Sequence, residues 1–233
     1  LLPKLYGIYE NEDGLYYLKI QYINGNTLNE LEIDKLTFDD KLFIILQIML
    51  IIKYFHDNGF VYRDLKPDNF IVDENKTVFA IDFDRMISER EIYSNDELHT
   101  IDFRNNYIAP EVIEGIITPK GDIYSLGKII QMIFMKNNLL INLTEILDVN
   151  PNNRPSIDEL LIILNIVYSS TINNLLIKYT PKIQYFQGLI HIENDIKSAN
   201  QNYLKAQLKL GFIYYSGQYI KRDINKSIHY LSL

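Results

Sequence analysis

The chain has 233 residues, of which 47% are hydrophobic and 23% charged, which is the balance of an ordinary globular protein with a sizeable core. Its formal net charge of -7 argues against a basic nucleic-acid-binding surface, and the lack of cysteine excludes disulfides, thiolate metal ligands and cysteine nucleophiles within it. The longest apolar run, residues 42–52, contains Gln47 and is shorter than the ~20 residues of a membrane span, so we predict a buried helix and no membrane segment.

The first predicted elements are a hairpin and a long helix. Asp13-Gly14 separates two aromatic-rich runs, 5–9 and 15–23, which is typical of two paired strands, and residues 24–26 are expected to end the second strand. Thr37, with Asp40 three residues later, forms a capping pair ahead of the apolar run. We therefore predict a helix from Thr37 to about Asn58, closed by Gly59.

Strands and loops are predicted after this helix. Short aromatic and β-branched runs indicate strands at 60–62, 70–72 and 78–81, with a turn at 73–76. Residues 88–106 are polar and lack periodicity, which predicts a surface loop.

Three helices are predicted in the following part of the chain. They cover 121–135, 139–147 and Ser156 to about Tyr168, and Glu159 completes a capping box with Ser156. Residues 169–171 form a candidate domain boundary.

Five short motifs carry the chemical information. In chain order they are YRDLKPDN at 62–69, IDFD at 81–84, YIAPE at 107–111, DIYSLG at 122–127 and NNRP at 152–155. Together they resemble the protein kinase family, whose catalytic loop H-R-D-L-x-x-x-N is followed by D-F-G and A-P-E. The resemblance covers residues 1 to about 170 and implies an α+β, protein-kinase-like fold, mostly the helical lobe with the last strands of the small lobe.

The resemblance implies a protein serine/threonine kinase that uses ATP and Mg²⁺. Asp64 would accept the proton of the substrate hydroxyl, and Lys66, typical of the serine/threonine type, would place a positive charge beside the transferred phosphoryl group. Asn69 and Asp82 would be the metal ligands, because carboxylate and amide oxygens suit Mg²⁺.

A site for the adenine base also follows from the resemblance. Gln21, Tyr22 and Ile23 correspond to the hinge strand, where backbone groups bind the base. Ile20 would guard the pocket, and Ile71 would pack under the ring. Gln21, Ile23, Ile71 and Asp82 are the predicted cofactor-binding residues. Taken alone, each of these apolar residues would more often belong to the hydrophobic core than to a binding site.

The remaining matches imply structural roles. Glu111 and Arg154 would form a buried ion pair, and Asp122 would accept hydrogen bonds from the catalytic-loop backbone. Arg63 would hold a phosphate placed on the 88–106 loop, where the candidate acceptors are Ser88, Tyr93, Ser94 and Thr100. Tyr62 replaces the family's histidine and is expected to pack behind Phe83.

The sequence also departs from the family pattern. The glycine-rich phosphate loop, the strand lysine and the helix glutamate are not in the chain, so we expect no useful catalysis from it in isolation. Asp84 replaces the glycine of D-F-G, which predicts an altered metal preference or, as the alternative, inactivation. Arg104 would obstruct Asp64 by an ion pair, and the family's helix between Asp122 and Arg154 is missing.

A second segment, at 183–233, resembles a Sel1-like repeat, a helical hairpin related to tetratricopeptide repeats, and 171–182 is the expected linker. The matching positions are Ala206, Leu210, Gly211, Tyr214, Gly217, Ile220, Asp223, Lys226, Ser227 and Tyr230. One such α-α repeat cannot bury its own apolar face, so we expect further repeats in a longer protein and binding of protein partners. Two extra helices packed on the kinase lobe are the alternative.

Three functions stay open at this point. The leading one is an active cytoplasmic kinase acting on protein substrates, with repeats that select partners. The alternatives are a pseudokinase scaffold that only binds other proteins and a decayed fragment, and the retention of Asp64, Lys66, Asn69 and Asp82 argues against decay.

Overall fold

A computed structural model of the chain describes residues 2–89, 106–135 and 141–178. The chain divides into two units, Leu1–Ile172 and Asn173–Leu233, and the elements below lie in the first, apart from the last residues of the final helix. The Sel1-like segment lies outside the described residues, as do Tyr93, Ser94, Thr100 and Arg104 of the predicted loop.

The chain starts with the predicted hairpin. Strands β1 (Leu5–Glu10) and β2 (Tyr16–Ile20) pair antiparallel. Gly14 takes a positive φ of 77° in the turn, and the Asn11 side chain accepts the amide N–H groups of Asp13 and Leu15. Left-handed backbone favours glycine, which explains the Asp13-Gly14 pair and confirms the prediction.

A second sheet has the strand order β3-β5-β6, with β3 at Gly25–Thr27, β5 at Phe70–Asp73 and β6 at Val78–Ala80. The prediction that residues 24–26 only end the second strand was wrong, because β2 stops at Ile20 and Gly25 begins a new strand. Gly25 permits this pairing, since a Cβ atom there would lie 2.4 Å from the carbonyl oxygen of Val72.

Helix α1 (Phe38–Asp57) is the centre of the core, and its capping box between Thr37 and Asp40 is confirmed. Every residue from Lys41 to Lys53 is buried. Gln47 is buried as well, and its side chain bonds the carbonyl of Lys76 and the amide of Val78. This polar residue therefore ties α1 to the β5–β6 turn.

The remaining elements are short strands and helices. They are β4 (Phe60–Val61), β7 (Ile87–Ser88), α2 (Pro110–Ile113), α3 (Pro119–Ile133), α4 (Leu143–Ile146) and α5 (Ile157–Lys178), with 3₁₀ turns at Ile33–Lys35, Pro67–Asn69 and Pro151–Asn153. Strands β4 and β7 pair antiparallel.

The described part of the predicted 139–147 helix is shorter than expected. Residues 136–140 lie outside the described ranges, and α4 covers only Leu143–Ile146. The Asn142 side chain accepts the amide N–H of Thr144, so it caps a new helix instead of continuing one.

Helix α5 begins as predicted and bends where its end was expected. Ser156 and Glu159 form the capping box, with the Ser156 amide 2.7 Å from the Glu159 carboxylate. Tyr168 has non-helical angles, and a helical segment then continues to Lys178, past the predicted boundary at 169–171. No helix in the described ranges is long and apolar enough to cross a membrane.

Candidate active site

The loop at 62–69 is held in place by Asp122, at the first turn of α3. One carboxylate oxygen accepts the Tyr62 amide at 2.8 Å and also lies 2.9 Å from His56 Nε2, while the other accepts the Arg63 amide at 2.9 Å. Asp122 is buried, so these bonds satisfy a charge that water does not reach. The expected role of Asp122 is therefore confirmed, and it supports the left-handed turn at Arg63, where φ is 70°.

The three predicted catalytic residues, Asp64, Lys66 and Asn69, lie together in this loop. Lys66 Nζ is 2.6 Å from Asp64 Oδ2, and Asn69 Nδ2 donates to the same oxygen at 3.0 Å and to the Asp64 carbonyl at 2.9 Å. Asp64 and Asn69 are both buried. The arrangement holds one carboxylate in a fixed orientation, with a cation and an amide beside it.

Asp82 follows β6 and lies near this cluster. It has a positive φ of 63°, and the Ile81 amide bonds the Asn69 carbonyl at 2.9 Å, so the loop and the Asp82 segment are directly connected. The Asp82 side chain is exposed on the surface. Even so, neighbouring protein atoms partly desolvate it and raise its pKa, and the adjacent Asp84 carboxylate raises the pKa further.

Tyr62 packs against Phe83, as predicted. The two rings meet edge to face with centroids 5.8 Å apart, and Tyr62 also stacks on Phe70 at 6.4 Å. Its hydroxyl donates to the Ile81 carbonyl. Burial, followed by the charge of Asp82, raises the pKa of Tyr62, so the hydroxyl stays protonated and keeps this bond.

The predicted adenine site is partly assembled. Ile23 is buried, Ile71 is half-buried, and a Cβ atom at Gly25 would meet the Ile71 side chain at 3.0 Å. Ile71 therefore lies beside the segment that follows the predicted hinge. Ile20 and Tyr22 are exposed, the latter at 86%.

Some backbone groups of the predicted hinge form hydrogen bonds within the protein. The Gln21 amide N–H donates to the Lys4 carbonyl at 2.7 Å. Among the described residues no backbone hydrogen bond uses the Gln21 carbonyl or the Ile23 amide. One carbonyl acceptor and one amide donor of the predicted hinge are therefore not used by other backbone groups of the described residues.

The residues present also fit a magnesium ion. In the described ranges no group of three or more acidic or histidine side chains is arranged to hold a metal. Magnesium, however, usually binds one or two carboxylates together with substrate phosphates and water. Asp82 and the amide oxygen of Asn69 are hard donors of this kind and would hold it.

Two interactions near the site were not predicted. Arg85 lies close enough to lower the pKa of Arg63, after the larger effect of burial on that guanidinium. Asn29 donates to Asp68 at 3.1 Å and so ties the segment after β3 to the catalytic loop. Arg85, soon after Asp82 in the sequence, was the signal that could have indicated its interaction with Arg63. No sequence signal indicated the hydrogen bond between Asn29 and Asp68.

The buried ion pair between Glu111 and Arg154 is confirmed. Arg154 Nη1 and Nη2 lie 2.5 and 2.8 Å from the two carboxylate oxygens, and both side chains are buried. This pair connects α2 to the turn before α5.

Comparison with known proteins agrees with this geometry. The family described as protein kinase domain matches residues 2–145. Serine/threonine-protein kinase PrkC of Bacillus subtilis (strain 168) is 32% identical over 133 residues, which are 54% of this chain and 20% of that protein. CBL-interacting protein kinase 1 of Oryza sativa subsp. japonica is 32% identical over 127 residues, 51% of this chain and 27% of that protein.

A third relative is CDPK-related kinase 5 of Arabidopsis thaliana, 30% identical over 137 residues, which are 57% of this chain and 22% of that protein. The matched part of the chain thus spans only 20% to 27% of the length of these relatives. The family match, in contrast, covers well over half of the chain itself. The chain therefore belongs to the protein kinase family.

Proposed function

We propose that this chain forms the catalytic part of a serine/threonine protein kinase, which transfers the γ-phosphate of ATP to hydroxyl groups of protein substrates. The observation that carries the proposal is the cluster in which Lys66 and Asn69 both bond the carboxylate of Asp64. The serine/threonine kinases among the relatives support the residue type of the acceptor.

Each residue of the cluster has a separate part in this proposal. Asp64 orients the substrate hydroxyl and accepts its proton. Lys66 reaches Asp64 from the solvent side with a half-buried chain, so its charge also lies near an incoming phosphoryl group. Asn69 fixes Asp64 through its amide nitrogen and keeps its amide oxygen as a ligand.

The family uses ATP and Mg²⁺ in general, and when bound the ion neutralises the charge of the phosphates. In our proposal Asp82 and Asn69 hold the ion. The Gln21 carbonyl and the Ile23 amide bind the adenine edge, and Ile71 packs against its face. Ile71 supports this assignment by its half-exposed position beside Gly25.

A second candidate function is that of a pseudokinase scaffold. The observation that favours it is the Asp82–Asp84 pair, because the raised pKa of Asp82 weakens a ligand that metal binding needs in its ionised form. In either case we propose residues 1–170 as the kinase domain, 171–182 as the linker and 183–233 as Sel1-like repeats that bind protein partners. The cytoplasmic location stays a prediction.

Asp64→Asn tests the leading proposal in the longest natural protein that contains this chain. Loss of the general base should slow phosphate transfer to a protein substrate by about 10²-fold or more, while the thermal unfolding curve stays unchanged. Asp68→Asn is the matched control, since it makes the same change four residues away on an exposed side chain.

The two candidate functions give different results. Phosphate transfer that depends on Asp64 supports the kinase. Transfer that survives Asp64→Asn means that the activity comes from another source. If the intact protein neither transfers phosphate nor binds ATP with Mg²⁺ in equilibrium dialysis, the scaffold is the better description.

A further inference from the structure

A groove lies away from the catalytic loop in the chain, in the part that follows residue 119. It is an open groove of about 530 Å³ between the first turn of α3, α4, the 3₁₀ turn at Pro151–Asn153 and α5. Its lining includes Lys120, Glu145, Arg154, Glu159 and Ile162. A volume of this size accommodates a few side chains of a ligand.

The floor of the groove is rigid because Arg154 is fully bonded. Its Nε donates to the Asp148 carbonyl at 2.7 Å, and its four Nη hydrogens go to both oxygens of Glu111 and to the carbonyls of Lys120 and Val149. A guanidinium has five N–H donors, and all five are used here. The groove therefore needs little reorganisation on binding, which reduces the cost of association.

The groove also holds two basic groups. Arg154 is buried and its charge is neutralised by Glu111. The Lys120 ammonium donates to the Arg154 carbonyl but keeps its positive charge, which helps to lower the pKa of Glu159. The two carboxylates Glu145 and Glu159 therefore outnumber the one uncompensated cation, Lys120.

The acidic groups, in contrast, are exposed. Glu159 uses one carboxylate oxygen for Ser156, and Glu145 uses one for Asn142. Among the described residues the second oxygen of each carboxylate has no hydrogen-bond donor. These hydrogen bonds from Ser156 lower the pKa of Glu159, which keeps it charged.

An apolar surface adjoins these carboxylates. Ile162 lines the groove and is 58% exposed, although its neighbours Leu160 and Leu164 on the same helix are buried. Ile166, one turn further along α5, is 73% exposed. Residues four apart share a helix face, so the apolar strip continues out of the groove.

We infer that this groove binds a short segment of a partner protein that places a lysine or arginine next to branched apolar side chains. The net negative charge that Glu145 and Glu159 keep beside Lys120 is complementary to the basic group, and Ile162 with Ile166 is complementary to the apolar ones. This function is separate from phosphate transfer, because the groove contains none of the residues assigned to the proton, the metal or the base.

The test uses two labelled peptides and the full chain without nucleotide. Both peptides carry leucines at helical spacing; one has an arginine beside them and the other a glutamate at that position. Fluorescence anisotropy should give at least about tenfold tighter binding for the arginine peptide. Equal binding of both peptides, or no binding of either, would overturn the inference.

Variants locate the binding to the groove. Ile162→Asp should abolish binding of the arginine peptide, whereas Leu18→Asp, an exposed apolar residue of β2, should leave it intact. Glu145→Lys should remove the preference for arginine, and Glu74→Lys, which makes the same charge change in the β5–β6 turn, should not. An equal loss with Glu74→Lys would mean attraction to the net charge of the chain only.

The remaining groove carboxylate is tested by a variant that keeps the capping oxygen. Glu159→Gln removes the charge and keeps an oxygen that accepts from Ser156, so binding should weaken, and a thermal unfolding curve shows that the variant is folded at the temperature of the binding measurement. Binding that is unchanged in both Glu159→Gln and Glu145→Lys would contradict the charge complementarity.

Discussion

Arg154 lies 43 residues after Glu111, yet the two side chains form a buried, two-point ion pair. Glu111→Gln leaves the guanidinium buried without its counter-charge. We expect a loss of about 3–5 kcal/mol in the free energy of unfolding, because a stranded buried charge is costly. Urea denaturation of the variant and the wild type measures this directly.

Two further variants test whether the loss of the ion pair causes the expected destabilisation. Glu114→Gln changes an exposed glutamate three residues away and should alter stability little. Arg154→Lys should be nearly as damaging as Glu111→Gln, because an ammonium cannot supply the five donors that the site uses. A mild effect of Glu111→Gln would mean that the carbonyl bonds alone hold Arg154.

Asp84→Gly tests how the pair of adjacent carboxylates affects the ion site. Removing Asp84 removes one negative charge close to the proposed ligand Asp82. We expect weaker binding of Mn²⁺, by roughly tenfold, which corresponds to about 1.4 kcal/mol. An EPR titration with Mn²⁺, repeated in competition with Mg²⁺, gives both the affinity and the preference between the ions.

Glu89→Gln is the control for this experiment, since it removes an exposed carboxylate further along the same segment. Tighter binding in Asp84→Gly would contradict the prediction. It would mean that Asp84 acts mainly by raising the pKa of Asp82, which is the effect that favours the scaffold alternative.

Arg63 and Arg85 form a candidate anion site. Arg85 lowers the pKa of the partly buried Arg63, and an anion between two guanidinium groups relieves their repulsion. Inorganic phosphate should therefore stabilise the protein, by about 1.4 kcal/mol at ten times its dissociation constant. Thermal unfolding with increasing phosphate measures the effect.

The response should disappear in Arg63→Gln and persist in Lys128→Gln, which removes a cation on α3. If Arg63→Gln responds to phosphate as the wild type does, the anion binds elsewhere. The hypothesis that a phosphate on the 88–106 loop uses this site would then lose its support.

The capping box of α5 predicts a pH dependence. Hydrogen bonds from Ser156 lower the pKa of Glu159 below its ordinary value in the folded protein. Their stabilising effect is therefore complete above the ordinary carboxyl pKa and is lost as the pH falls through the lower, folded pKa. Glu159→Gln should be less stable than the wild type near neutral pH, and the gap should close in acid.

A double-mutant cycle isolates the free energy that the Ser156–Glu159 interaction contributes to folding. The coupling free energy between Ser156→Ala and Glu159→Gln, obtained from urea unfolding, should decrease as the solution is acidified. A coupling that does not change with pH would show that the charge of Glu159 contributes nothing to the cap.

Features encoded by neighbouring residues were predictable from the sequence. Both capping boxes join residues three apart, so short patterns identify them. The roles in the Asp64 cluster, the Tyr62–Phe83 contact and the Glu111–Arg154 pair came from the family resemblance. The last two join residues far apart in the chain, which leaves no local signal.

Features that depend on distant backbone groups were not predictable. The carbonyls of Asp148 and Val149 face Arg154, and α4 ends before them at Ile146, which the apolar pattern of 139–147 does not reveal. Gly25 looked like a strand end because glycine often marks turns. In the structure a glycine is needed at this position because the Val72 carbonyl, which belongs to another strand, approaches it closely.

The hairpin at the start of the chain has a consequence for handling the protein in solution. Leu5, Ile8, Tyr16 and Leu18 are each at least half exposed, and within the described residues β1 and β2 pair only with each other. Unpaired strand edges with apolar faces are templates for association. We therefore expect the isolated chain to self-associate, so that its molar mass measured by light scattering increases with concentration. Additional strands, or an apolar partner surface that covers the hairpin, should improve its solubility.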